Sequence, residues 1–256
     1  MSDWSSKQYL KFKAQRTQPA IDLVNRIEYT DPAAVLDVGC GPGNSTEILH
    51  EAYPNASILG IDRSKNMIES ARSVYPHLDF LLCDAQTELA GWDRKFDIVF
   101  SNACLQWIPD HPVLLRTLMA LLKEGGILAV QIPMNTEEPI HRILQDVASQ
   151  EEWREKIGKP RFFYTLSPYE YDHLLSELSQ DVTMWRTTYF HRLHSHQEIM
   201  EWYRGTGMRP YLDALSEKDQ GRFEEEVYRQ VVSAYPKQKH GTILFPFLRF
   251  FFTAVR

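Results

Sequence analysis

The stretch from Val35 to Thr46 constrains the fold more than any other part of the chain. A short apolar run ends at three glycines, which let the backbone turn sharply and approach a ligand without a Cβ in the way. Asn44 and Glu47 then have the spacing of a capping box, so a helix is predicted to begin there. The order of strand, glycine loop and helix predicts a βα unit whose helix presents its free N–H groups to the loop.

Dinucleotide-binding enzymes also carry glycine loops, but this loop differs from theirs. The fingerprint G-x-G-x-x-G, counted from Gly39, requires Gly or Ala at position 44, where the helix packs closely beside a pyrophosphate. The chain has Asn44 at that position and Pro42 inside the loop. A nicotinamide oxidoreductase is therefore disfavoured, whereas the pattern D-x-G-x-G-x-G from Asp37 to Gly43 resembles motif I of the class I S-adenosylmethionine-dependent methyltransferases.

Three further predicted strands lead into polar residues. Residues 57–61 precede Asp62, residues 78–83 precede Asp84, and residues 96–100 precede Ser101 and Asn102. Because ligands of open α/β sheets lie across the carboxyl ends of neighbouring strands, these side chains are predicted to share one site. Asp62 comes about 20 residues after the glycine loop, where a carboxylate accepts hydrogen bonds from the ribose hydroxyls of a nucleotide.

The resemblance extends these roles to a whole cofactor. It implies that Asp84 accepts the adenine amino group beside the N–H of Ala85, that Met67 packs on the adenine and that Asn102 lies beside the transferable methyl group. An N-terminal lid would bring Tyr9 and Arg16 to the methionine carboxylate. The implied cofactor is S-adenosylmethionine, which leaves as S-adenosylhomocysteine, and the implied cofactor-binding residues are Gly39, Gly41, Gly43, Asp62, Arg63, Met67, Asp84, Ala85, Asn102, Tyr9 and Arg16.

Alternating strand and helix signals up to residue 133 predict a parallel, doubly wound α/β sheet. The resemblance implies a three-layer, Rossmann-like class I methyltransferase sheet of seven mostly parallel strands with a helical cap. We expect one domain over residues 1–256, made of N-terminal lid helices (1–30), a cofactor-binding half (31–133), a cap and substrate-binding region around strand six (134–235) and a C-terminal strand (236–256). Pro246 predicts that this last strand lies at an edge or in a hairpin.

The region after residue 133 carries all the candidate substrate-binding residues except Trp107. It begins with a segment too long for an ordinary connection, which is predicted to form part of a cap. The β-rich run from Met184 to Leu193 follows, with Tyr189 and His191 on one face. Arg209 comes after a glycine-rich turn, from which a guanidinium can pair with a carboxylate through two hydrogen bonds. The predicted substrate-binding residues are Arg209, Tyr189, His191 and Trp107.

The later stretches narrow the resemblance within the superfamily. Residues 3–12, 105–111, 185–191 and 205–210, taken with the glycine loop, resemble the members that methylate one carboxylate of a small tricarboxylate. A carboxylate is already ionised at neutral pH, so its attack on a sulfonium methyl needs no general base. No catalytic residue is therefore predicted, and the expected partner is a small anionic polycarboxylate. Methylation of another small carboxylic acid or of a malonyl-carrier substrate, and a non-catalytic cofactor-binding role, stay open.

Composition and charge disfavour several other classes. A net charge of −6 argues against a nucleic-acid platform, and the three cysteines lack the spacing of a metal site. Neither an apolar run of about 18 residues nor a signal-peptide pattern is present, so no membrane contact and a cytoplasmic location are expected. We expect a monomer or a weak dimer.

Overall fold

The computed structural model describes residues 13–158 and 163–256, without the side chains of residues 13–16. The predicted contacts of Tyr9 and of the Arg16 side chain therefore lie outside the described residues. The described chain divides into two compact units. The sheet unit contains residues 13–133, 163–187 and 249–256, and the helical unit contains residues 134–158 and 188–248.

The described strands form one seven-stranded sheet. They are β1 (Ala34–Val38), β2 (Ser57–Asp62), β3 (Asp79–Leu82), β4 (Phe96–Asn102), β5 (Leu122–Pro133), β6 (Val182–Leu193) and β7 (Ile243–Val255). Their order across the sheet is β3-β2-β1-β4-β5-β7-β6. The first five pair in parallel, and β7 runs antiparallel to β5. The predicted seven-stranded, mostly parallel α/β sheet is confirmed.

Helices connect these strands, and several of them follow β5 and precede β7 in the sequence. In the sheet unit they are α1 (Lys13–Val24), α2 (Asn44–Ala52), α3 (Lys65–Val74) and α4 (His111–Ala120). Next in chain order come α5 (Pro139–Ser149) and α6 (Glu151–Ile157) of the helical unit, then α7 (Pro168–Ser176) of the sheet unit. The helical unit also contains α8 (His196–Arg204), α9 (Arg209–Leu212) and α10 (Glu217–Ala234).

Continuous apolar runs explain why the central strands are parallel. Val35 and Leu36 of β1, and Ile98, Val99 and Phe100 of β4, are completely buried. Parallel strands covered on both faces carry mostly apolar side chains, so they do not alternate regularly with polar residues. The strand order reverses between β1 and β4, and ligands of such sheets bind at the carboxyl ends of the strands beside this switch point.

The prediction that the last strand lies at an edge or in a hairpin is wrong. β7 lies between β5 and β6, and three helices separate β6 from β7 along the chain. Residues 249–255 of β7 pair with β5, whereas Pro246 precedes this stretch. Pro246 lies outside the stretch that pairs with β5, so the ladder with β5 does not require its missing N–H.

The predicted capping box is also wrong. α2 begins at Asn44, and its N-cap is Gly43, whose φ of 90° lies in the left-handed region. Asn44 instead accepts a hydrogen bond from the Tyr75 hydroxyl at 3.2 Å, and Glu47 pairs with His77. A Cβ at Gly43 would lie 2.8 Å from the Tyr75 ring, so close packing and the positive φ both require glycine there.

A buried polar cluster lies inside the helical unit. The Asn135 amide donates to the Tyr203 hydroxyl at 2.7 Å, and this hydroxyl lies 3.2 Å from His141 Nε2. Burial lowers the pKa of His141 to about 4, so its imidazole is neutral at pH 7. Gly207 packs against the cluster, since a Cβ there would lie 2.9 Å from the Tyr203 ring. The cluster therefore shapes the turn that precedes Arg209.

Candidate active site

A cavity opens at the carboxyl ends of β1, β2 and β4, beside the switch point of the sheet unit. Its empty volume, including the open mouth, is about 710 Å³. Its lining residues are Gly39, Gly41, Ile61, Asp62, Arg63, Met67, Cys83, Asp84, Ala85, Asn102, Ala103, Cys104, Trp107 and Ile108. Most of the predicted cofactor-binding residues and Trp107 thus line one cavity, while Gly43 lies at the N-cap of α2.

Asp37 anchors the glycine loop from within the core. Its Oδ2 accepts hydrogen bonds from the Ser45 and Thr46 hydroxyls, each at 2.7 Å, and these bonds hold the first turn of α2 against β1. Asp37 is completely buried, and this burial raises the pKa of its carboxyl to about 6 although both hydrogen bonds lower it. Asp37 therefore positions the loop that lines the cavity.

Gly39 and Cys104 approach each other too closely for a side chain at position 39. A Cβ there would lie 2.1 Å from Cys104 Sγ, and the φ of Gly39 is 77°. Ala103 also has a positive φ, 55°, which turns the chain just after β4. Gln106 stabilises this turn by donating its side-chain N–H to the Ala103 carbonyl at 2.7 Å. The loops that follow β1 and β4 are consequently packed against each other at the cavity wall.

Asp62 connects the glycine loop to the end of β2. Its Oδ2 accepts the Gly41 N–H at 3.0 Å, and its Oδ1 accepts the Ser64 N–H at 2.8 Å. A carboxylate has about four lone-pair sites, so it can accept further hydrogen bonds from a ligand in the cavity. The side chain predicted to accept the ribose hydroxyls is therefore held in place by the backbone around it.

Met67 and Asp84 give the cavity an apolar surface and a hydrogen-bond acceptor. Met67 is only 4% exposed and lies in the first turn of α3, where its N–H donates to the N-cap Ser64 at 3.3 Å. Asp84 follows β3, and its Oδ1 accepts the Gln86 N–H at 3.0 Å. A thioether surface close to a carboxylate suits an aromatic base that carries an amino group.

Asn102 and Trp107 line the cavity on the β4 side. Asn102 Oδ1 is buried and has no hydrogen-bond partner among the described residues. Such an atom in a cavity wall calls for a ligand or an ordered water, because native proteins pair nearly all buried polar atoms. Trp107 packs edge-on against Phe163, with ring centroids 4.9 Å apart.

A buried histidine holds the loop that carries Trp107. His111 Nε2 hydrogen-bonds the Leu105 carbonyl at 2.9 Å, and His111 Nδ1 lies 2.6 Å from the Tyr171 hydroxyl. Since a carbonyl only accepts, Nε2 carries the proton and the Tyr171 hydroxyl donates to Nδ1. Burial lowers the pKa of His111, which favours this neutral form.

The other predicted substrate-binding residues lie in the helical unit. Tyr189 and His191 share one face of β6, as predicted, with ring centroids 6.5 Å apart, and His191 also packs against Trp202 at 4.9 Å. The Arg209 side chain is 17% exposed, and its Nε lies 3.5 Å from Asp213 Oδ2 one turn later. Arg209 therefore has an acidic partner on the same helical segment.

Five lining residues were not predicted as site residues. They are Ile61, Cys83, Ala103, Cys104 and Ile108. From the sequence, the cysteines are interpreted as small apolar residues at strand ends. Burial raises the pKa of the Cys83 thiol to about 11, so this thiol stays neutral at pH 7. The positions of Cys83 and Cys104 close to Asp84 and Asn102 in the sequence could have predicted that they line the cavity, because segments at the carboxyl ends of strands line such sites.

Within residues 13–158 and 163–256, no group of three or more His, Cys, Asp or Glu side chains is arranged to hold a metal ion. The helices of those ranges include none that combines the length and the apolar character needed to cross a bilayer.

The strand order, with an antiparallel β7 inserted beside β5, separates this fold from the dinucleotide-binding sheets that share its glycine loop. The chain is a class I methyltransferase, and enzymes of this class take their methyl group from S-adenosylmethionine. A family model described as a methyltransferase domain matches residues 30–206.

Similar proteins define the family more narrowly. The trans-aconitate 2-methyltransferase of Methylobacterium nodulans is 43% identical over 258 residues, covering 100% of this chain and 99% of the relative. That of Enterobacter sp. (strain 638) is 41% identical over 256 residues, with coverage of 100% and 99%. The chain belongs to the trans-aconitate 2-methyltransferase family.

Solved structures agree on the fold. Coclaurine N-methyltransferase, solved with N-methylheliamine and S-adenosylhomocysteine, matches 93% of this chain and 72% of its own with a TM-score of 0.53. The two sequences are only 13% identical, so this likeness concerns the fold alone.

Proposed function

We propose that the protein transfers a methyl group from S-adenosylmethionine to one carboxylate of trans-aconitate, giving a monomethyl ester and S-adenosylhomocysteine. The observation that carries this proposal is the meeting of Asp62, Asp84 and Asn102 at three strand ends around one cavity. Family membership supports the choice of substrate. The same cavity also supports the cofactor, because it offers acceptors for a ribose and for an adenine amino group.

The residues present suit this cofactor. S-adenosylmethionine, when bound, supplies an electrophilic methyl on sulfur: the carboxylate oxygen forms the new O–CH₃ bond, the S–CH₃ bond breaks, and its electron pair returns to sulfur. Asp62 would accept the ribose hydroxyls, Asp84 with the Ala85 N–H would bind the adenine edge, and Met67 would pack on the adenine face. Gly39 and Gly41 leave room for a ligand close to the backbone.

The protein's task in this reaction is alignment. The attacking carboxylate is ionised at neutral pH, so no side chain has to remove a proton. Holding the oxygen in line with the methyl and sulfur can lower the activation free energy by several kcal/mol, and by up to roughly 7–11 kcal/mol in well-oriented systems. Asn102 and Trp107, at the β4 side of the cavity, are our candidates for positioning the reacting groups, and Trp107 would also help to exclude water.

The substrate anion needs cationic partners. Asp62 and Asp84 repel an anion, so a tricarboxylate is expected to rely on positive or hydrogen-bonding groups for its carboxylates that do not react. Arg209, Tyr189 and His191 remain our proposed substrate-binding residues in the helical unit. Arg209 would have to exchange its contact with Asp213, in which the Nε to Oδ2 distance is 3.5 Å, for one with a carboxylate of the substrate.

Methyl-transfer assays test the proposed function. The protein is incubated with S-adenosylmethionine labelled in its methyl group and with a panel of small polycarboxylates that includes trans-aconitate. We expect a base-labile methyl ester of trans-aconitate. If label instead enters only a malonyl-carrier substrate, or enters nothing while the cofactor still binds, the trans-aconitate assignment is wrong. Binding of NADH with a micromolar dissociation constant would support an oxidoreductase.

The cellular setting is also part of the proposal. We propose that the protein is a monomer or a weak dimer. We further propose that it acts in the cytoplasm without membrane contacts. A net charge of −6 also disfavours nucleic-acid partners. Size-exclusion chromatography and cell fractionation test these points.

A further inference from the structure

A second polar group lies next to the cavity on the same face of the sheet unit. In the register of the sheet, Asn102 of β4 pairs with Gln131 of β5, and Gln131 pairs with Phe251 of β7. Residues paired in this way point to one face, and so does Arg249, two residues before Phe251. Neighbouring strands are about 4.8 Å apart, so these side chains form a row that begins at the cavity wall.

Gln131 orients Arg249 within this row. Arg249 is 3% exposed and Gln131 is completely buried, and Arg249 Nη1 donates to Gln131 Oε1 at 3.0 Å. A guanidinium has donors only, so the oxygen of the Gln131 amide must face it and the Nε2 group must point elsewhere. Gln131 Nε2 is buried and makes no hydrogen bond to any described residue.

The row therefore contains one buried acceptor and one buried donor without partners in the described part of the chain, of which a carboxylate can satisfy the donor. Asn102 Oδ1 and Gln131 Nε2 are adjacent in register, and both lack hydrogen-bond partners among the described residues. Native proteins satisfy nearly all such atoms with protein, ordered water or ligand. Gln131 Nε2 is a donor and lies next to the guanidinium of Arg249. The group that suits the Gln131 donor and the Arg249 guanidinium together is an anionic acceptor. A carboxylate has this chemistry and can accept two N–H groups at once.

We propose that Arg249, oriented by Gln131, binds a carboxylate of the substrate that does not react, and that Gln131 Nε2 donates a hydrogen bond to the same carboxylate. The inference rests on the proposed function, in which a polycarboxylate is methylated beside Asn102. Buried polar groups discriminate strongly between substrates. A substrate that lacks the matching carboxylate leaves these groups without a hydrogen-bond partner, and a water molecule substitutes poorly for that carboxylate. Arg249 thereby selects polycarboxylates over acids with a single carboxylate.

Two variants test the role of Arg249 from opposite directions. Arg249→Lys keeps the charge but loses the planar fork, and we expect the KM for trans-aconitate to rise at least about tenfold. Gln131→Glu keeps Arg249 but places a carboxylate against it and removes the Nε2 donor, so we expect a similar rise. In both, the dissociation constant of S-adenosylmethionine should stay close to the wild-type value, and the Tm shows whether the variant is folded. The matched control is Arg229→Lys, since Arg229 is exposed and pairs with Glu225.

Truncated acids identify the carboxylate that Arg249 holds. Mesaconate, itaconate and cis-glutaconate each lack a different carboxylate of trans-aconitate, and their inhibition constants can be measured whether or not they are methylated. If Arg249 binds one carboxylate, Arg249→Lys should weaken trans-aconitate and two of the analogues. It should leave unchanged the analogue that lacks that carboxylate.

The outcomes separate this inference from the proposed function. Wild-type enzyme that methylates none of these acids contradicts the proposed function itself. If the wild-type enzyme methylates trans-aconitate, two results would overturn the role of Arg249 without affecting the proposed function. One is a wild-type KM in both variants, and the other is equal weakening of the binding of all four acids by Arg249→Lys. If Arg249→Lys does not fold, Gln131→Glu decides the question, because it retains the arginine.

Discussion

Asp62 Oδ2 accepts the backbone N–H of Gly41 at 3.0 Å, so the carboxylate proposed to hold the cofactor ribose also fixes the glycine loop. Asp62→Ala removes both functions at once. We expect the binding of S-adenosylmethionine to weaken by about 1–3 kcal/mol, or roughly five- to 150-fold in dissociation constant. Isothermal titration calorimetry measures this, with the exposed residue Asp93 changed to Ala as control. Unchanged affinity would remove Asp62 from the cofactor site.

Gly39→Ala is expected to destabilise the sheet unit strongly. The new Cβ would meet Cys104 Sγ at 2.1 Å, and the positive φ of 77° is unfavourable for alanine. Strain of this kind and the overlap together should lower the free energy of unfolding by at least about 2 kcal/mol. Urea denaturation tests this against Gly91→Ala, where no atom lies within 4 Å of the added Cβ. Equal stability of the two variants would contradict the close approach of the β1 and β4 loops.

Asp37 should make stability depend on pH in an unusual direction. Its folded-state pKa is raised from 3.8 to about 6, so between these values the folded state binds more protons than the unfolded state. Stability from this group is therefore greatest below pH 4 and falls as pH rises to 6, by about 3 kcal/mol at most.

The variant Asp37→Asn isolates this contribution. Asparagine cannot titrate, and its side-chain oxygen can still accept the hydroxyl hydrogen bonds that hold Ser45 and Thr46. We expect the free energy of unfolding of wild type minus that of the variant to decrease between pH 4 and pH 6 in urea denaturation. A constant or increasing difference over this range would contradict the assigned pKa.

Arg209→Lys tests the proposed clamp in the helical unit. The variant keeps the charge but cannot form a two-pronged contact with a carboxylate. We expect the KM for trans-aconitate to rise at least about tenfold, near 1.4 kcal/mol, with little change in cofactor affinity. Arg204→Lys is the control, since Arg204 pairs with Glu224 in the same unit. Steady-state kinetics equal to wild type would remove Arg209 from the substrate site.

Local sequence signals were sufficient to predict the strand ends that line the cavity. The apolar runs before Gly39, Asp62, Asp84 and Asn102 predict parallel strands, because strands buried inside a parallel sheet are mostly apolar. Parallel strands bring their carboxyl ends to one edge, so the shared cavity follows from chain order. Signals at helix boundaries were less decisive: the spacing of Asn44 and Glu47 suggested a capping box, yet the Tyr75 hydroxyl binds the Asn44 side chain from a distant helix end.

By itself, the sequence determined the class of sheet, the glycine loop and the polar residues at three strand ends, since these depend on patterns within a few residues. Only the tertiary structure showed that β7 lies inside the sheet, because strand order depends on which edges pair and not on local composition. It likewise showed that Arg249 and Gln131, 118 positions apart, share a buried hydrogen bond. Long-range pairing of this kind has no local periodicity, so it becomes visible only when the register between strands is known.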